Sequence, residues 1–193
     1  KSIGEPINVD FWFNYFDLSR DYGKIKEELH KKDRFLQHAV EYGYGIRILN
    51  QDIYETLISF IISANNNIPR IKGCIEKLAF NFGDIISEGI YSFPTPETIA
   101  ALSSDEISEC CHVGYRCRYI EKSSKLFITK NPGISELMKM KRDEARKTLL
   151  EYTGVGPKVA DCILLFSGIH CDSFPTDVWI KRVMEELYFQ KEV

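Results

Sequence analysis

The sequence contains no uninterrupted apolar run of about 18 residues, the length that a membrane-spanning helix needs. Its first residues show neither the apolar stretch of a signal peptide nor the Arg and Ser bias of a transit peptide. Internal repeats and low-complexity segments are also lacking, which excludes the collagen-like and disordered classes. We therefore expect a globular, intracellular protein that does not bind a membrane.

The six cysteines include no Cys-x-x-C pair. A chain of 193 residues can bury a substantial core without disulfide bonds, so we expect free thiols. The run from Cys110 to His112, followed by Cys117, resembles part of a metal site. Adjacent cysteines on a helix point in different directions and a second ligand pair is missing, so the pattern favours ordinary buried thiols over zinc.

The net charge of −3, from 25 basic and 28 acidic residues, by itself argues against a nucleic-acid partner. The charge is unevenly distributed, however. Residues 114–158 hold 11 Lys and Arg against 5 Asp and Glu, a local charge of +6, which leaves −9 for the rest of the chain. A nucleic-acid footprint on one face requires such a division, although solvated helices also carry basic side chains.

Helical periods dominate the sequence from Asp21 onward and predict about eight to ten short helices. A clear helix start is Asp52, where Glu55 completes a capping-box pattern before an apolar run. The segment from Val9 to Tyr15 instead alternates with a period of two, which predicts a strand. Because one strand cannot form a sheet, we expect a mainly α body in a chain cut near its N-terminus.

A glycine-rich turn between two predicted helices is the strongest motif. Gly154 and Gly156 let the backbone turn sharply, and Pro157 suits the first position of a new helix. The segment of about residues 143–168 is therefore predicted to form a helix-hairpin-helix, whose exposed N–H groups would bind a DNA phosphate. The alternative is a plain helical hairpin in which a glycine ends the first helix.

Two charged residues follow the turn. Lys158 lies in the first turn of the second helix, with Cys162 four residues later on the same face. Asp177 lies at a predicted helix N-cap, where its carboxylate would accept backbone N–H bonds. Most lysines are solvated and a structural cap fully explains an aspartate, so position alone assigns neither residue a chemical role.

The hairpin, Lys158 and Asp177 together resemble the signature of the helix-hairpin-helix (HhH-GPD) superfamily of DNA base-excision glycosylases. The resemblance covers about residues 8–190 and implies a mainly α helix-hairpin-helix glycosylase fold with a remnant strand. Three ordered stretches resemble the 8-oxoguanine DNA glycosylase branch in particular: Ser63–Arg70 (SANNNIPR), Gly114–Tyr119 (GYRCRY) and Lys158–Cys162 (KVADC).

For the reacting strand, the resemblance implies that Lys158 attacks the sugar C1′ and forms a Schiff base. Asp177 would stabilise the cationic sugar and assist proton transfer, and Cys162 would face the flipped base. Gly154 and Gly156 would bring the backbone of the hairpin to the DNA. The implied activity is excision of 8-oxoguanine from duplex DNA, preferably opposite cytosine, with an associated AP lyase activity by β-elimination.

For the other strand, the resemblance implies that Asn65 fills the gap in the duplex and contacts the orphaned cytosine. Arg70 and Arg116 would bond the edge of that cytosine, and Tyr115 would wedge beside it. Without the resemblance, the asparagine triplet would be interpreted as a polar loop that ends a helix. The Tyr115-Arg116 pair would be interpreted as a helix start.

The resemblance also implies the organisation of the chain and its partners. Residues 1–20 would be a remnant of an N-terminal antiparallel β domain, residues 21–193 the helical catalytic body, and the C-terminus would be truncated. We expect a monomer that acts on double-stranded DNA containing 8-oxoguanine and is located with the DNA. No metal or organic cofactor is expected, although carbonyl groups of the hairpin turn could hold a structural cation.

Two alternatives stay open. One is a glycosylase for another damaged purine, such as an alkylated purine, against which the asparagine triplet and the Tyr115-Arg116 pair argue. The other is a noncatalytic helix-hairpin-helix module that only grips the DNA backbone, with Lys158 as a phosphate contact and Asp177 as a cap. Covalent trapping on DNA separates an enzyme from such a module.

Overall fold

The computed structural model describes residues 8–130 and 134–189. Backbone contacts divide these residues into two compact units. The first unit consists of the described residues between 51 and 175. The second unit consists of residues 8–50 together with residues 176–189.

Helices dominate both units. In chain order they are α1 (Val9–Tyr15), α2 (Tyr22–His30), α3 (Arg34–Tyr42), α4 (Ile53–Ser63), α5 (Ile68–Phe82), α6 (Pro96–Ala100), α7 (Ser104–Cys111), α8 (Cys117–Lys130), α9 (Ile134–Lys139), α10 (Arg142–Leu149), α11 (Pro157–Phe166) and α12 (Val178–Met184). A 3-10 turn, Gly114–Arg116, precedes α8, and a π-helical turn, Glu185–Phe189, follows α12. The strands β1 (Ile85–Ser87) and β2 (Ile90–Tyr91) form an antiparallel hairpin in the first unit.

The core of the first unit forms around α4. Asp52 begins this helix, because its Oδ1 accepts the Glu55 N–H at 2.9 Å. The apolar run that follows is buried, with Leu57, Ile58 and Ile61 at most 1% exposed. Helices α5, α8 and α11 pack against α4. A helix that is apolar on most of its surface is buried by neighbouring helices. The position of α4 in the core therefore determines where the loop that follows it reaches the surface.

In the second unit, aspartates begin three of the four helices. Asp21, Asp33 and Asp177 accept backbone N–H groups at the N-termini of α2, α3 and α12. Beyond α12, the Tyr188 hydroxyl donates to the Asp33 carboxylate, and its ring packs edge-on against Phe35 with centroids 5.7 Å apart. Residues 176–189 are thereby joined to α3.

The segment from Val9 to Tyr15 is helix α1, so the prediction of a remnant strand there is wrong. Asn8 caps the helix by accepting the Phe11 N–H at 3.0 Å. The rings of Phe11 and Tyr15 stack with centroids 6.0 Å apart. Side chains in this segment therefore meet at a spacing of four residues, as in a helix, and not at a spacing of two. The predicted division of the chain at residue 20 stays a prediction.

The mainly α fold is confirmed, and the described residues hold twelve α-helices rather than eight to ten. The hairpin of β1 and β2 was not predicted from the sequence. No helix in the described part of the chain is long and apolar enough to cross a bilayer. None of the six cysteines, which all lie in the described part of the chain, forms a disulfide bond. Among the described residues, no group of three or more His, Cys, Asp and Glu side chains is arranged to hold a metal ion.

Candidate active site

Helices α10 and α11 are joined by the predicted glycine-rich turn. Gly154 has a φ of +88°, a conformation that favours glycine, and a Cβ on it would lie 2.8 Å from the Tyr119 ring. Gly156 is the N-cap of α11, with Pro157 in the first turn. A Cβ on Gly156 would meet no atom of the described residues within 4 Å, so these residues leave this side of the turn open. The turn therefore leaves the N-terminus of α11 accessible to an anion.

Lys158 lies in the first turn of α11, beside an aromatic cavity. Its Nζ is 5.3 Å from the centroid of the Phe60 ring, and that ring stacks on Phe166 with centroids 5.7 Å apart. The cavity has a volume of about 320 Å³ and is lined by Gln51, Ser59, Phe60, Ser63, Ile71 and Phe166. Attraction between the ammonium group and the face of the ring keeps the amine of Lys158 close to Phe60, which lines this cavity.

Cys162 lies one turn after Lys158 on α11 and is only 3% exposed. The four-residue spacing places both residues on one face of the helix, as the sequence predicts. Contact of Cys162 with a base stays a prediction. Cys111, at the end of α7, is buried in the core. This burial raises the pKa of its thiol to about 12, so Cys111 is an ordinary core thiol.

Asp177 belongs to the second unit and is the N-cap of α12, as predicted. Its Oδ1 accepts the N–H groups of Trp179 at 3.0 Å and Ile180 at 2.9 Å. These bonds fix the orientation of the carboxyl group. Asp33 caps α3 through the same pair of bonds, at 2.8 and 2.9 Å, and also accepts the Tyr188 hydroxyl, whereas Asp21 caps α2 by accepting the Lys24 N–H at 3.0 Å.

Arg116 is buried, with 4% of its surface exposed, between the end of α4 and the start of α8. Its Nε donates to the Ala64 carbonyl at 2.9 Å, and its Nη1 donates to the Val113 carbonyl at 3.2 Å. Its Nη2 donates to the Asn65 carbonyl at 2.9 Å and also to the Ala64 carbonyl. The guanidinium carbon lies 4.6 Å from the centroid of the Tyr115 ring. The structure thus brings Arg116, Asn65 and Tyr115 together.

The asparagine triplet connects α4 to α5. Asn65 is exposed and adopts a φ of +49°, in the left-handed region. The Asn66 side chain donates to a carbonyl in the last turn of α4, and Asn67 caps α5 by accepting the Arg70 N–H at 3.0 Å. Arg70 is exposed, and its Nη2 reaches the His112 carbonyl at 3.5 Å. The triplet does end one helix and begin the next, while Asn65 and Arg70 face solvent.

The basic part of the chain includes α8. Arg118 and Lys122 are exposed on this helix and are four residues apart, so they share a face. On another face, the buried Ser123 hydroxyl donates to the Thr153 carbonyl at 2.9 Å and joins α8 to the hairpin turn. The exposed basic face of α8, formed by Arg118 and Lys122, and the open turn are therefore parts of one packed structure within the first unit.

Sequence reasoning missed Phe60 and Phe166. Each lies in an apolar helix, where an aromatic residue is normally part of the core. Only the fold stacks the two rings and brings Lys158 over one of them. The one available signal was the position of Phe60 near the end of a helix that leads into the asparagine triplet.

Two family models match the chain. The model for HhH-GPD superfamily base excision DNA repair proteins matches residues 58–193, and the model for the N-terminal domain of 8-oxoguanine DNA glycosylase matches residues 5–57. A protein of Methanothermobacter thermautotrophicus, named a probable N-glycosylase/DNA lyase, is 32% identical over 97% of this chain and 65% of its own length.

Two solved structures are also similar. MBOgg1 in complex with a low-affinity DNA ligand has a TM-score of 0.90 and 45% identity, over 97% of this chain and 66% of that chain. The 8-oxoguanine glycosylase/lyase of Clostridium acetobutylicum, in complex with duplex DNA containing cytosine opposite 8-oxoG, has a TM-score of 0.88 and 38% identity, over 100% of this chain and 70% of that chain. This chain therefore spans about two thirds of the length of these proteins.

The N-terminal match and both structures confirm the resemblance to the 8-oxoguanine branch. The larger match covers more than half of the chain and includes the hairpin, Lys158 and Asp177. Because of this match, this chain belongs to the HhH-GPD superfamily of base excision DNA repair proteins.

Proposed function

We propose that this chain is a base excision repair glycosylase that removes 8-oxoguanine from duplex DNA and then cleaves the strand as an AP lyase. The position of Lys158 carries the proposal. Its amine follows the open hairpin turn at the start of α11 and lies 5.3 Å from the centroid of the Phe60 ring, which lines the aromatic cavity. Relatives named N-glycosylase/DNA lyase support this class of reaction.

The proposed reaction begins with rotation of the damaged nucleotide out of the stack, at a cost of about a few kcal/mol. The Lys158 amine, as a neutral group, forms a bond to C1′ while the bond from C1′ to the base breaks. The base leaves with the electron pair of that bond and takes up a proton. The sugar ring opens to an imine, and loss of a C2′ proton expels the 3′ phosphate. Covalent attack thus divides one difficult reaction into easier steps.

The other residues of the reacting strand have supporting roles in the proposal. The Asp177 carboxylate stabilises positive charge on the sugar and assists proton transfer. Cys162 faces the flipped base. The backbone around Gly154 and Gly156 binds a phosphate through N–H groups at the N-terminus of α11, where no side chain interferes on the Gly156 side.

The opposite strand is held by residues of the loop between α4 and α5, of the first turn of α5 and of the 3-10 turn before α8. Asn65 fills the space that the flipped nucleotide leaves, and Tyr115 wedges beside it. Arg70 and Arg116 offer only donors, and the pairing edge of cytosine offers the acceptors N3 and O2. Cytosine is therefore the preferred base opposite the lesion.

An incision assay on duplexes that contain 8-oxoguanine opposite each of the four bases tests the proposal. We expect strand cleavage at the lesion, fastest opposite cytosine, and none in the undamaged duplex. A duplex that contains an alkylated purine serves as the matched control. Tight binding without release of any base would contradict the proposal and identify a noncatalytic DNA-binding module.

A further inference from the structure

We infer that Arg146 is a positioning residue for the proposed reaction, because it holds the Asp161 carboxylate and so prevents this carboxylate from pairing with the Lys158 amine. The amine then stays available to the sugar. This inference rests on the proposed function and adds to it a residue from the other helix of the hairpin. It follows from the ion pair between α10 and α11 and from the spacing of two charged residues on α11.

Arg146 and Asp161 join the two helices of the hairpin. The Arg146 Nε donates to Asp161 Oδ1 at 2.8 Å, and the Arg146 Nη2 donates to Asp161 Oδ2 at 3.3 Å. One guanidinium therefore occupies both carboxylate oxygens, in the forked geometry that makes such bonds strong. The Asp161 side chain is only 14% exposed. Water reaches this carboxylate poorly, so its charge needs a partner from the protein.

Lys158 lies three residues before Asp161 on α11. Residues three apart on a helix are neighbours, so side chains of opposite charge can pair at this spacing. Within the described residues of the first unit, however, Lys158 forms no ion pair, and its Nζ lies 5.3 Å from the centroid of the Phe60 ring. The Asp161 carboxylate is bonded to Arg146 of α10 instead.

An ion pair between Lys158 and Asp161 would oppose the proposed chemistry. A lysine attacks as the neutral amine, whereas an adjacent carboxylate favours the ammonium form. Lys158 is the only cationic residue of α11, so it is the partner that the carboxylate would find on its own helix without the guanidinium. Arg146 neutralises the carboxylate and thereby leaves the amine of Lys158 free for the sugar.

Single-turnover excision at saturating DNA by Arg146→Gln, by Asp161→Asn and by the double variant tests the inference. Arg146→Gln leaves the carboxylate free to pair with Lys158, so the rate should fall by about 10-fold. Asp161→Asn and the double variant should stay within about threefold of the unmodified rate, because no carboxylate remains there to favour the ammonium form. Arg146→Lys keeps a cation beside Asp161 and should retain most of the rate.

Thermal unfolding of the same variants separates this role from a purely structural one. Each single substitution breaks the same ion pair, so both should lower the melting temperature. A pair that only stabilised the hairpin would therefore lose excision in both single variants, and an equal loss of rate for Asp161→Asn and Arg146→Gln would overturn the inference. If Arg146→Gln does not fold, the double variant decides, and a loss of about 10-fold there would also overturn the inference.

Lys147→Gln is the matched control, because it removes one positive charge from an exposed position of the same helix. This variant should excise 8-oxoguanine at the unmodified rate. A loss as large as that of Arg146→Gln would mean that the charge of α10, and not the restraint of Asp161, sets the rate. That result would overturn the inference.

Reductive methylation with formaldehyde and cyanoborohydride measures the availability of the Lys158 amine without DNA. Peptide mass spectrometry follows the modification of Lys158. We expect this modification to be about 10-fold slower in Arg146→Gln than in the unmodified chain, and unchanged in Asp161→Asn. Equal rates in all three proteins would overturn the inference. If methylation follows the expected order but the unmodified chain excises no lesion, the proposed function fails instead, so the two failures are distinguishable.

Discussion

At the scale of single residues, the proposed chemistry depends on two side chains that each lie at a helix start. The amine of Lys158 is held over the face of Phe60, and the carboxyl group of Asp177 is oriented by two backbone N–H bonds. A helix N-terminus therefore positions both groups. This arrangement allows substitutions that change the chemistry and leave the fold intact.

Asp177→Asn should keep the cap of α12 but lose most of the turnover. Asn also caps helices, so we expect the melting temperature and DNA affinity to change little. The negative charge opposite the developing sugar cation is lost, so the single-turnover rate should fall by roughly 100-fold. Asp21→Asn is the control and should keep the rate, because Asp21 caps α2 by accepting the Lys24 N–H at 3.0 Å. An unchanged rate for Asp177→Asn would reduce Asp177 to a structural cap.

Arg70→Ala should weaken the preference for cytosine opposite the lesion. A well-made contact between a charged side chain and a base edge contributes about 1 to 3 kcal/mol of discrimination, or roughly 5- to 150-fold in relative rate. We expect excision opposite adenine or thymine to rise relative to cytosine, while the chemistry at Lys158 is largely spared. Lys72→Ala, an exposed residue of the same helix, is the control. Identical ratios for the four bases would show that selection lies elsewhere.

At the scale of elements, the two glycines of the hairpin turn have different physical roles. Gly154→Ala combines a φ of +88° with a Cβ 2.8 Å from the Tyr119 ring, so it should destabilise the chain by about 1 to 3 kcal/mol. Gly156→Ala meets no neighbour and should lower stability by at most about 1 kcal/mol. Its methyl group would occupy the space of a phosphate, so DNA affinity should fall by about 3- to 10-fold.

Thermal unfolding and a DNA-binding titration of both glycine variants test this distinction. We expect a lower melting temperature for Gly154→Ala. For Gly156→Ala we expect weaker DNA binding at nearly unchanged stability. Unchanged DNA affinity for Gly156→Ala would mean that no phosphate approaches the turn.

Local signals predicted the helix starts and the hairpin turn, because caps and glycine turns act within a few residues. Asp52, Gly156 and Asp177 therefore have the predicted positions. Helix α1 was misjudged because seven residues are too few to separate a period of two from one of 3.6, and Asn8 was overlooked as its N-cap. The stacking of Phe60 on Phe166 was beyond prediction, since it depends on packing between residues far apart in the chain.

At the level of the whole molecule, we expect DNA binding to depend on how charge is distributed along the chain more than on the net charge. We expect DNA binding to depend strongly on salt despite the net charge of −3, because the +6 segment and the hairpin N–H groups meet the phosphates. A plot of log affinity against log salt changes by about 0.9 in slope for each phosphate contacted. Lys122→Ala, on the exposed face of α8, should therefore lower the slope by about 1.

Lys32→Ala makes the same change of charge in the acidic remainder of the chain and should leave the slope unchanged. A flat salt dependence for the unmodified chain would contradict this account of DNA binding.

Borohydride trapping on duplex DNA that contains 8-oxoguanine tests whether Lys158 is the nucleophile. An imine between Lys158 and C1′ is reducible to a stable bond, whereas a phosphate contact is not. We expect a covalent protein–DNA product for the unmodified chain. The control variant Lys147→Gln, which changes an exposed lysine of α10, should give the same product. Lys158→Gln should bind the same duplex without cross-linking, and trapping of this variant at the unmodified rate would contradict the account.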